Sequence, residues 1–132
     1  MRHMRRKTPG LTGAEWNLME CLWEKSPRTG REVVEDMQLR QNWNRSTTLT
    51  MLRRMTEKEQ IRCEESEGVR MYVPMICRED ALLEETDSFL KRAYSGSVSL
   101  LVNTLTRHQE LSREEIEELY DILRKAEQKG DA

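Results

Sequence analysis

Apolar residues recur at steps of three and four along most of the chain, the spacing that places them on one face of a helix. This pattern predicts six helices. Three of them follow a capping box, in which a hydroxyl residue precedes Glu by three positions. The capping boxes are Thr12 with Glu15, Thr29 with Glu32, and Ser112 with Glu115. The predicted helices cover residues 13–25, 30–39, 46–58, 79–93, 98–105 and 116–123, the last fading towards residue 129.

Between the third and fourth helices the apolar period changes to two. Residues 61–65 and 69–73 alternate on either side of a Ser-Glu-Gly turn at 66–68, and Pro74 closes the second run. Two short alternating runs around a turn predict a β-hairpin.

Three helices followed by a hairpin is the order of a winged helix-turn-helix, in which the hairpin is the wing. We therefore predict a mainly α fold with a small β-hairpin wing. The N-terminal winged helix-turn-helix is expected to span residues 8–77, and a C-terminal helical dimerisation domain residues 78–127.

On a helical wheel, the third predicted helix has one half that includes Leu49, Leu52 and Met55 and is centred near Leu52. Its opposite half carries small hydroxyl residues and arginine. Small residues let a helix approach the major groove of DNA, and Arg donates hydrogen bonds to guanine or to phosphate. The combination favours a DNA recognition helix, and an ordinary solvated face is the alternative. The candidate DNA-binding residues are Arg45, Ser46, Thr47, Thr50, Arg53 and Arg54 at this helix, with Arg70 on the hairpin.

Two further features adjoin this region. Arg5, Arg6 and Lys7 form a basic arm before the first helix. Such arms reach DNA phosphates or the minor groove in some proteins and are solvated tails in others. Trp43 precedes the third helix, and we expect it to anchor that helix in the core rather than to contact DNA.

Charge is unevenly distributed along the chain. Residues 1–77 carry 14 Lys or Arg and 11 Asp or Glu, whereas residues 78–132 carry 8 and 13. The stretch 37–62 is more basic still. A basic N-terminal part and an acidic C-terminal part indicate two different functions. A solvated basic surface without a partner is the alternative.

Apolar residues of the last three helices form narrow stripes that short helices cannot bury alone. Interleaving with a second copy would bury them and present two recognition helices about one turn of DNA apart. Packing against the first domain of the same chain is the alternative. The predicted dimerisation residues are Leu82, Phe89, Leu90, Leu101, Leu105, Ile116, Leu119 and Leu123.

Other classes of protein lack support. The acidic pairs are adjacent residues whose side chains point apart, and no phosphate loop, nucleophile motif or His partner accompanies them. The three cysteines, Cys21, Cys63 and Cys77, lack the short spacing of zinc ligands. We therefore predict that they are reduced, mostly buried thiols. The longest uncharged run, 93–106, is too short and too polar to cross a bilayer, and no signal-peptide core is present. We therefore predict a cytoplasmic protein without catalytic residues, metal, cofactor or membrane insertion.

Several strings of residues resemble the penicillinase-repressor family, which includes regulators of β-lactamase and methicillin-resistance genes and copper-responsive repressors. The resemblance extends from Leu11 to about Arg124. It is carried by 11–19 and 22–23 in the first helix, 29–34 in the second, Trp43, Thr47, Thr48, Leu49, Leu52, Arg54 and Met55 around the third, 72–74 in the hairpin, and 111–112 and 115–119 near the end.

The resemblance implies a homodimeric repressor that binds an operator in duplex DNA through Ser46, Thr47, Thr50 and Arg54. In some family members a membrane sensor and protease system triggers cleavage in the dimerisation domain. The matching segment here is 102–105, and no residue pattern in it marks a scissile bond. A winged-helix module that binds a protein instead of DNA is the alternative function.

Two features depart from the family pattern. Members often have Lys-Gly after the third helix, where this chain has Lys58, Glu59 and Gln60, so the turn into the first wing strand is expected to differ. The copper-responsive branch has clustered C-terminal cysteines, and none follows Cys77 here. This absence argues against copper sensing of that kind.

Overall fold

The computed structural model describes residues 10–108 and 111–130. The chain forms two compact units, one up to Thr86 and one from Asp87. The division between these units falls within a helix. The functional boundary between residues 77 and 78 stays a prediction.

The fold is mainly α with a small antiparallel sheet, as predicted. The six helices and the hairpin are all present, and one short strand that the sequence pattern did not predict joins them. The elements are α1 (Gly13–Glu24), β1 (Arg28–Thr29), α2 (Gly30–Gln41), α3 (Arg45–Glu57), β2 (Ile61–Ser66), β3 (Val69–Pro74), α4 (Arg78–Tyr94), α5 (Val98–His108) and α6 (Arg113–Gly130).

All three predicted capping boxes form. In the first, the Glu15 N–H donates to Thr12 Oγ1 at 3.1 Å, and the Thr12 N–H donates to Glu15 Oε1 at 2.9 Å. The same two hydrogen bonds form at the start of α2 and at the start of α6. Each pair satisfies backbone N–H groups that a helix start otherwise leaves without partners.

The sheet has three strands in the order β1, β3, β2. The predicted two-stranded wing is therefore incomplete, because Arg28 and Thr29 pair with Tyr72 and Met71 along the free edge of β3. A two-residue strand is too short to show a period of two. The turn between β2 and β3 has positive φ at Glu67 and Gly68, the combination that a two-residue hairpin turn requires.

The core of the first unit lies where α1, α2, α3 and the start of β2 meet. The face of α3 centred on Leu52 is buried, as predicted, and Trp43 packs against this core as the expected anchor. Leu49, assigned by the helical wheel to the same inner half, is instead 38% exposed at the edge nearest the hairpin. The fully buried apolar side chains include Leu18, Met19, Leu22, Val33, Met37, Leu52, Met55 and Ile61.

The apolar stripes of the C-terminal helices remain at the surface of the single chain. Neither α5 nor α6 contains a buried residue. Six of the eight predicted dimerisation residues are exposed, and the other two are half-buried. The exposed six are Leu82, Phe89, Leu105, Ile116, Leu119 and Leu123; the half-buried two are Leu90 and Leu101.

Candidate nucleic-acid interface

The recognition helix predicted from the sequence is α3, and its first turn is fixed by a cap. The backbone N–H of Thr47 donates to Asn44 Oδ1 at 2.8 Å. Asn44 is therefore the N-cap, and the helix begins at Arg45, one residue before the predicted start. Burial of Leu52 and Met55 holds one side of α3 in the core, so its opposite side faces outwards.

The outward side of α3 carries the candidate residues in one stripe at helical spacing. Thr50 is half-buried in the middle of this stripe, and the other members are exposed. The stripe spans about 12 Å from Ser46 to Arg54, because a helix rises about 1.5 Å per residue. It holds three arginines and one carboxylate, Glu57. The exposed members are Arg45, Ser46, Thr47, Arg53, Arg54 and Glu57.

The hairpin brings a further arginine to the same region. Arg70 lies on β3 two residues after the turn, opposite Glu65 of β2. Arg70 and Arg53 line one groove of about 350 Å³ between α3 and the hairpin. Only Arg53 and Arg70 of the predicted site residues share this groove, and Arg45, Ser46 and Thr47 lie at the other end of α3.

Some of the basic residues in the stretch 37–62 are held in ion pairs within the protein. The Arg40 guanidinium forms one ion pair with Asp36 at 2.7 Å within α2 and another with Glu24 at 2.6 Å, and the second connects α2 to α1. Arg62 pairs with Glu64 on the same strand. The positive charge of the candidate interface therefore comes from α3 and Arg70. The stretch 37–62 offers less unpaired positive charge than its number of basic residues suggests.

A buried carboxylate that the sequence predicts only as part of a capping box also positions the end of α3. Glu15 is 4% exposed and accepts hydrogen bonds from Lys58 Nζ at 2.5 Å and Gln60 Nε2 at 3.3 Å. Burial alone would raise the pKa of Glu15, but hydrogen bonds from Lys58, the Thr12 N–H and Gln60 outweigh it and hold the pKa below its ordinary value. This contact joins the start of α1 to the turn after α3.

The turn after α3 shows how the chain accommodates the missing glycine. Glu59 has φ of 63°, in the left-handed region that glycine adopts at little cost. The Gln60 N–H donates to the Met55 carbonyl at 2.9 Å, and the Gln60 carbonyl accepts from the Met75 N–H at 2.9 Å. These backbone hydrogen bonds attach the turn to the helix on one side and to the end of β3 on the other.

The cysteines are free and differ in burial. Cys21 is buried, Cys63 is half-buried and Cys77 is exposed, so the prediction of mostly buried thiols is wrong for Cys77. Burial, followed by the neighbouring Asp36 carboxylate, raises the pKa of the Cys21 thiol to about 12. Within residues 10–108 and 111–130 no group of three or more His, Cys, Asp or Glu is placed to hold a metal. No helix in these ranges is long and apolar enough to span a membrane.

The basic arm of Arg5, Arg6 and Lys7 lies outside the described residues. The interface described here consists of α3 and the hairpin.

Comparison with known proteins identifies the family. Residues 11–125 match the family model described as penicillinase repressor. The chain belongs to the penicillinase-repressor family. This penicillinase-repressor family member is 32% identical over 118 residues to the penicillinase repressor of Bacillus licheniformis, covering 89% of this chain and 92% of that protein. It is 28% identical over 122 residues to the methicillin resistance regulatory protein MecI of Mammaliicoccus sciuri, covering 92% and 99% of the two chains.

Two of the solved structures that are similar to this penicillinase-repressor family member are of the repressor BlaI. The solution structure of the DNA-binding domain of the repressor BlaI has a TM-score of 0.50 and 28% sequence identity, covering 58% of this chain and 93% of that one. The solution structure of Bacillus licheniformis BlaI in its monomeric form, in complex with the blaP half-operator, has a TM-score of 0.51 and 28% identity, covering 56% and 90%.

Proposed function

We propose that this protein is a transcriptional repressor that binds a pseudo-palindromic operator in duplex DNA as a homodimer. The observation that carries the proposal is the exposed stripe of hydroxyl residues and arginine on α3. The buried opposite side anchors this stripe, and Arg70 flanks it. The similar BlaI structure is a complex with a half-operator, which supports DNA as the partner of the equivalent fold here.

Specificity would come from the stripe and much of the affinity from neutralised phosphates. Arg54 is exposed in the third turn of α3 and can donate two parallel hydrogen bonds to the edge of a guanine. Ser46, Thr47 and Thr50 are short enough to let the helix backbone approach the groove. Occupancy of a promoter operator would then block transcription.

The test is fluorescence anisotropy with the duplex from upstream of the protein's own gene and a scrambled duplex, at two salt concentrations. We expect tight, saturable preference for the native duplex at two chains per site. Arg54→Ala should cost about 1–3 kcal/mol at the native duplex and reduce discrimination. The charge-conserving Arg54→Lys should keep the salt dependence but lose discrimination, because ammonium cannot reproduce the bidentate contact.

The opposite results are equally clear. If Arg54→Ala binds the native duplex as tightly as the wild type, α3 does not read the sequence. If the wild type binds both duplexes equally and weakly, with strong salt dependence, the assignment of this upstream duplex as the operator is wrong. A winged-helix module that binds a protein would show little DNA binding at physiological salt.

Dimerisation through the C-terminal helices rests on their unburied apolar surface. Between α5 and α6 lies an apolar groove of about 260 Å³ bordered by Val102, Leu105, Leu119 and Ile122. Covering these side chains with the same stripes of a second copy would remove apolar surface from water, the main driving force of such association. A two-fold dimer would also match a pseudo-palindrome.

Sedimentation of two matched variants tests the dimer. Leu119→Glu places a charge in the apolar stripe and should give monomers at concentrations where the wild type is dimeric. Gln128→Glu adds the same charge on the opposite face of α6 and should leave the dimer intact. Equal dimer fractions in all three proteins would show that α6 does not form the interface.

A signalling protease as a partner stays a prediction from the family resemblance. The matching segment, 102–105, lies inside α5, where Val102 and Leu105 are exposed. Cleavage there requires local unfolding of the helix, because a protease binds its substrate in extended form. Mass spectrometry of the chain isolated from induced cells would show whether fragments end in this segment.

A further inference from the structure

The groove between α3 and the hairpin combines apolar surface with two arginines. Arg53 and Arg70 line it together with Leu49 and Tyr72. Glu57 lines the same groove and places its carboxylate 3.9 Å from Arg53 Nη1. The groove thus contains two cationic groups and one carboxylate beside the stripe that we assign to DNA.

The position of Glu57 is unfavourable for the stability of α3. It is the last residue of the helix, where the helix dipole disfavours negative charge. The pair with Arg53 has Arg before Glu, the weaker order for a pair four residues apart. Both side chains are more than 60% exposed, and exposed pairs of this kind contribute little. Local helix stability therefore does not account for a carboxylate at this position.

The chemistry of the groove suggests another role. A carboxylate and a phosphodiester both offer oxygens to a guanidinium. Glu57 is also the only carboxylate in α3. We propose that one backbone phosphate of the bound DNA lies in this groove and is contacted by Arg53 and Arg70, and that Glu57 takes the place of this phosphate as the partner of Arg53 in the free protein. This inference rests on the proposed function.

The consequence is a limit on affinity that acts at every DNA sequence. Arg53 reaches the phosphate only by giving up its ion pair with Glu57. Neutralisation of one phosphate by an unpaired arginine releases counterions and steepens the salt dependence of binding. Pairing with Glu57 removes this contribution from Arg53.

Glu57→Gln tests the proposal by the anisotropy assay. The variant should bind the native and scrambled duplexes about twofold more tightly than the wild type near 0.1 M salt, because an exposed ion pair of this kind is weak. The slope of log K against log salt concentration should become steeper by about 0.9, the value for one further phosphate. Glu35→Gln is the matched control, because Arg31 and Glu35 form an equally spaced, exposed pair at 3.5 Å on α2. This control should leave the slope unchanged.

A double-mutant cycle separates the proposed competition from general repulsion. If Glu57 acts by occupying the partner of Arg53, Glu57→Gln should have little effect in an Arg53→Gln background. Full additivity of the two substitutions would mean that Glu57 repels DNA from a distance. It would refute the proposal that Glu57 and a phosphate compete for Arg53. Arg70→Gln should flatten the slope of the Glu57→Gln protein, and an unchanged slope would remove Arg70 from the site.

Failure of this inference is distinguishable from failure of the proposed function. If the wild type prefers its operator but Glu57→Gln and Glu35→Gln bind alike, the proposed competition between Glu57 and a phosphate is wrong and the repressor assignment stands. If the wild type binds no duplex at all, both are wrong. Thermal unfolding of each variant confirms that it is folded, and Glu57→Gln should be at least as stable as the wild type.

Discussion

Replacing Glu15 with alanine should destabilise the winged-helix unit more than replacing any other capping-box glutamate. The carboxylate accepts from the Thr12 N–H, from Lys58 Nζ and from Gln60 Nε2, and it is almost completely buried. Glu32 occupies the equivalent place in the capping box of α2 but is exposed. Glu32→Ala is therefore the matched control, because it removes the capping hydrogen bond without the buried contacts.

The expected loss follows from the contacts that disappear. Loss of a helix cap typically costs about 1 kcal/mol. Leaving the Gln60 amide without a partner in the protein interior costs roughly 1–3 kcal/mol more, and its Oε1 already has none among the described residues. Lys58 is half exposed and regains water, so it adds little. The total for Glu15→Ala is about 2–4 kcal/mol of unfolding free energy.

Urea unfolding followed by tryptophan fluorescence measures this difference, with the wild type and both variants compared at pH 7. The pH dependence supplies a second test. Since the pKa of Glu15 is held below its ordinary value of 4.5, its stabilising effect is present above pH 4.5 and is lost as the pH falls through the folded-state value. The difference between wild type and Glu15→Ala should therefore narrow on acidification.

Two results would refute this reasoning. Equal losses for Glu15→Ala and Glu32→Ala would show that the buried contacts with Lys58 and Gln60 contribute nothing beyond the cap. A difference that stays constant from pH 7 down to pH 3 would show that the Glu15 carboxylate is not stabilised in its charged form. In either case the contact would not anchor the end of α3.

Three further predictions concern other parts of the winged-helix unit. Glu59→Gly should raise the free energy of unfolding by about 1 kcal/mol, because glycine adopts positive φ without strain; an unchanged urea midpoint would show that Glu59 is unstrained. In the native protein a thiol reagent should label Cys77 rapidly and Cys21 only after unfolding, because Cys21 is buried with a raised pKa; equal rates would contradict this burial. Trp23→Phe should lower the unfolding free energy by about 1 kcal/mol, because it removes the 2.8 Å hydrogen bond from Nε1 to the Ile76 carbonyl; no loss in urea unfolding would show that water replaces this donor.

Sequence reasoning predicts those features whose cause lies within a few residues. The capping boxes at Thr12, Thr29 and Ser112 form because their partners are three positions away. The outward stripe of α3 follows from helical periodicity, with Leu52 and Met55 fixing the buried side. For the same reason the order of helices and hairpin, and with it the winged helix-turn-helix, could be predicted from the pattern alone.

The features that could not be predicted depend on residues distant in sequence. Glu15 meets Lys58 only because folding brings together positions 43 residues apart. Strand β1 exists because β3 has a free edge beside it, and nothing in its two residues indicates pairing. Leu49 falls within the apolar half of the helical wheel, but the hairpin leaves a groove at its side. The spacing of apolar residues predicts the face of the helix on which a side chain lies. It does not predict whether another element packs against that side chain.

The absence of buried residues in α5 and α6 bears on how chain concentration controls the amount of dimer. If these helices are completed by a second copy, the dimer is assembled at a rate and to an extent set by the number of chains in the cell. Well below the dissociation constant of the dimer, the amount of dimer rises with the square of chain concentration. A twofold fall in repressor then lowers the binding-competent species about fourfold by mass action. Partial depletion would thus release the regulated promoter more sharply than a monomeric repressor allows.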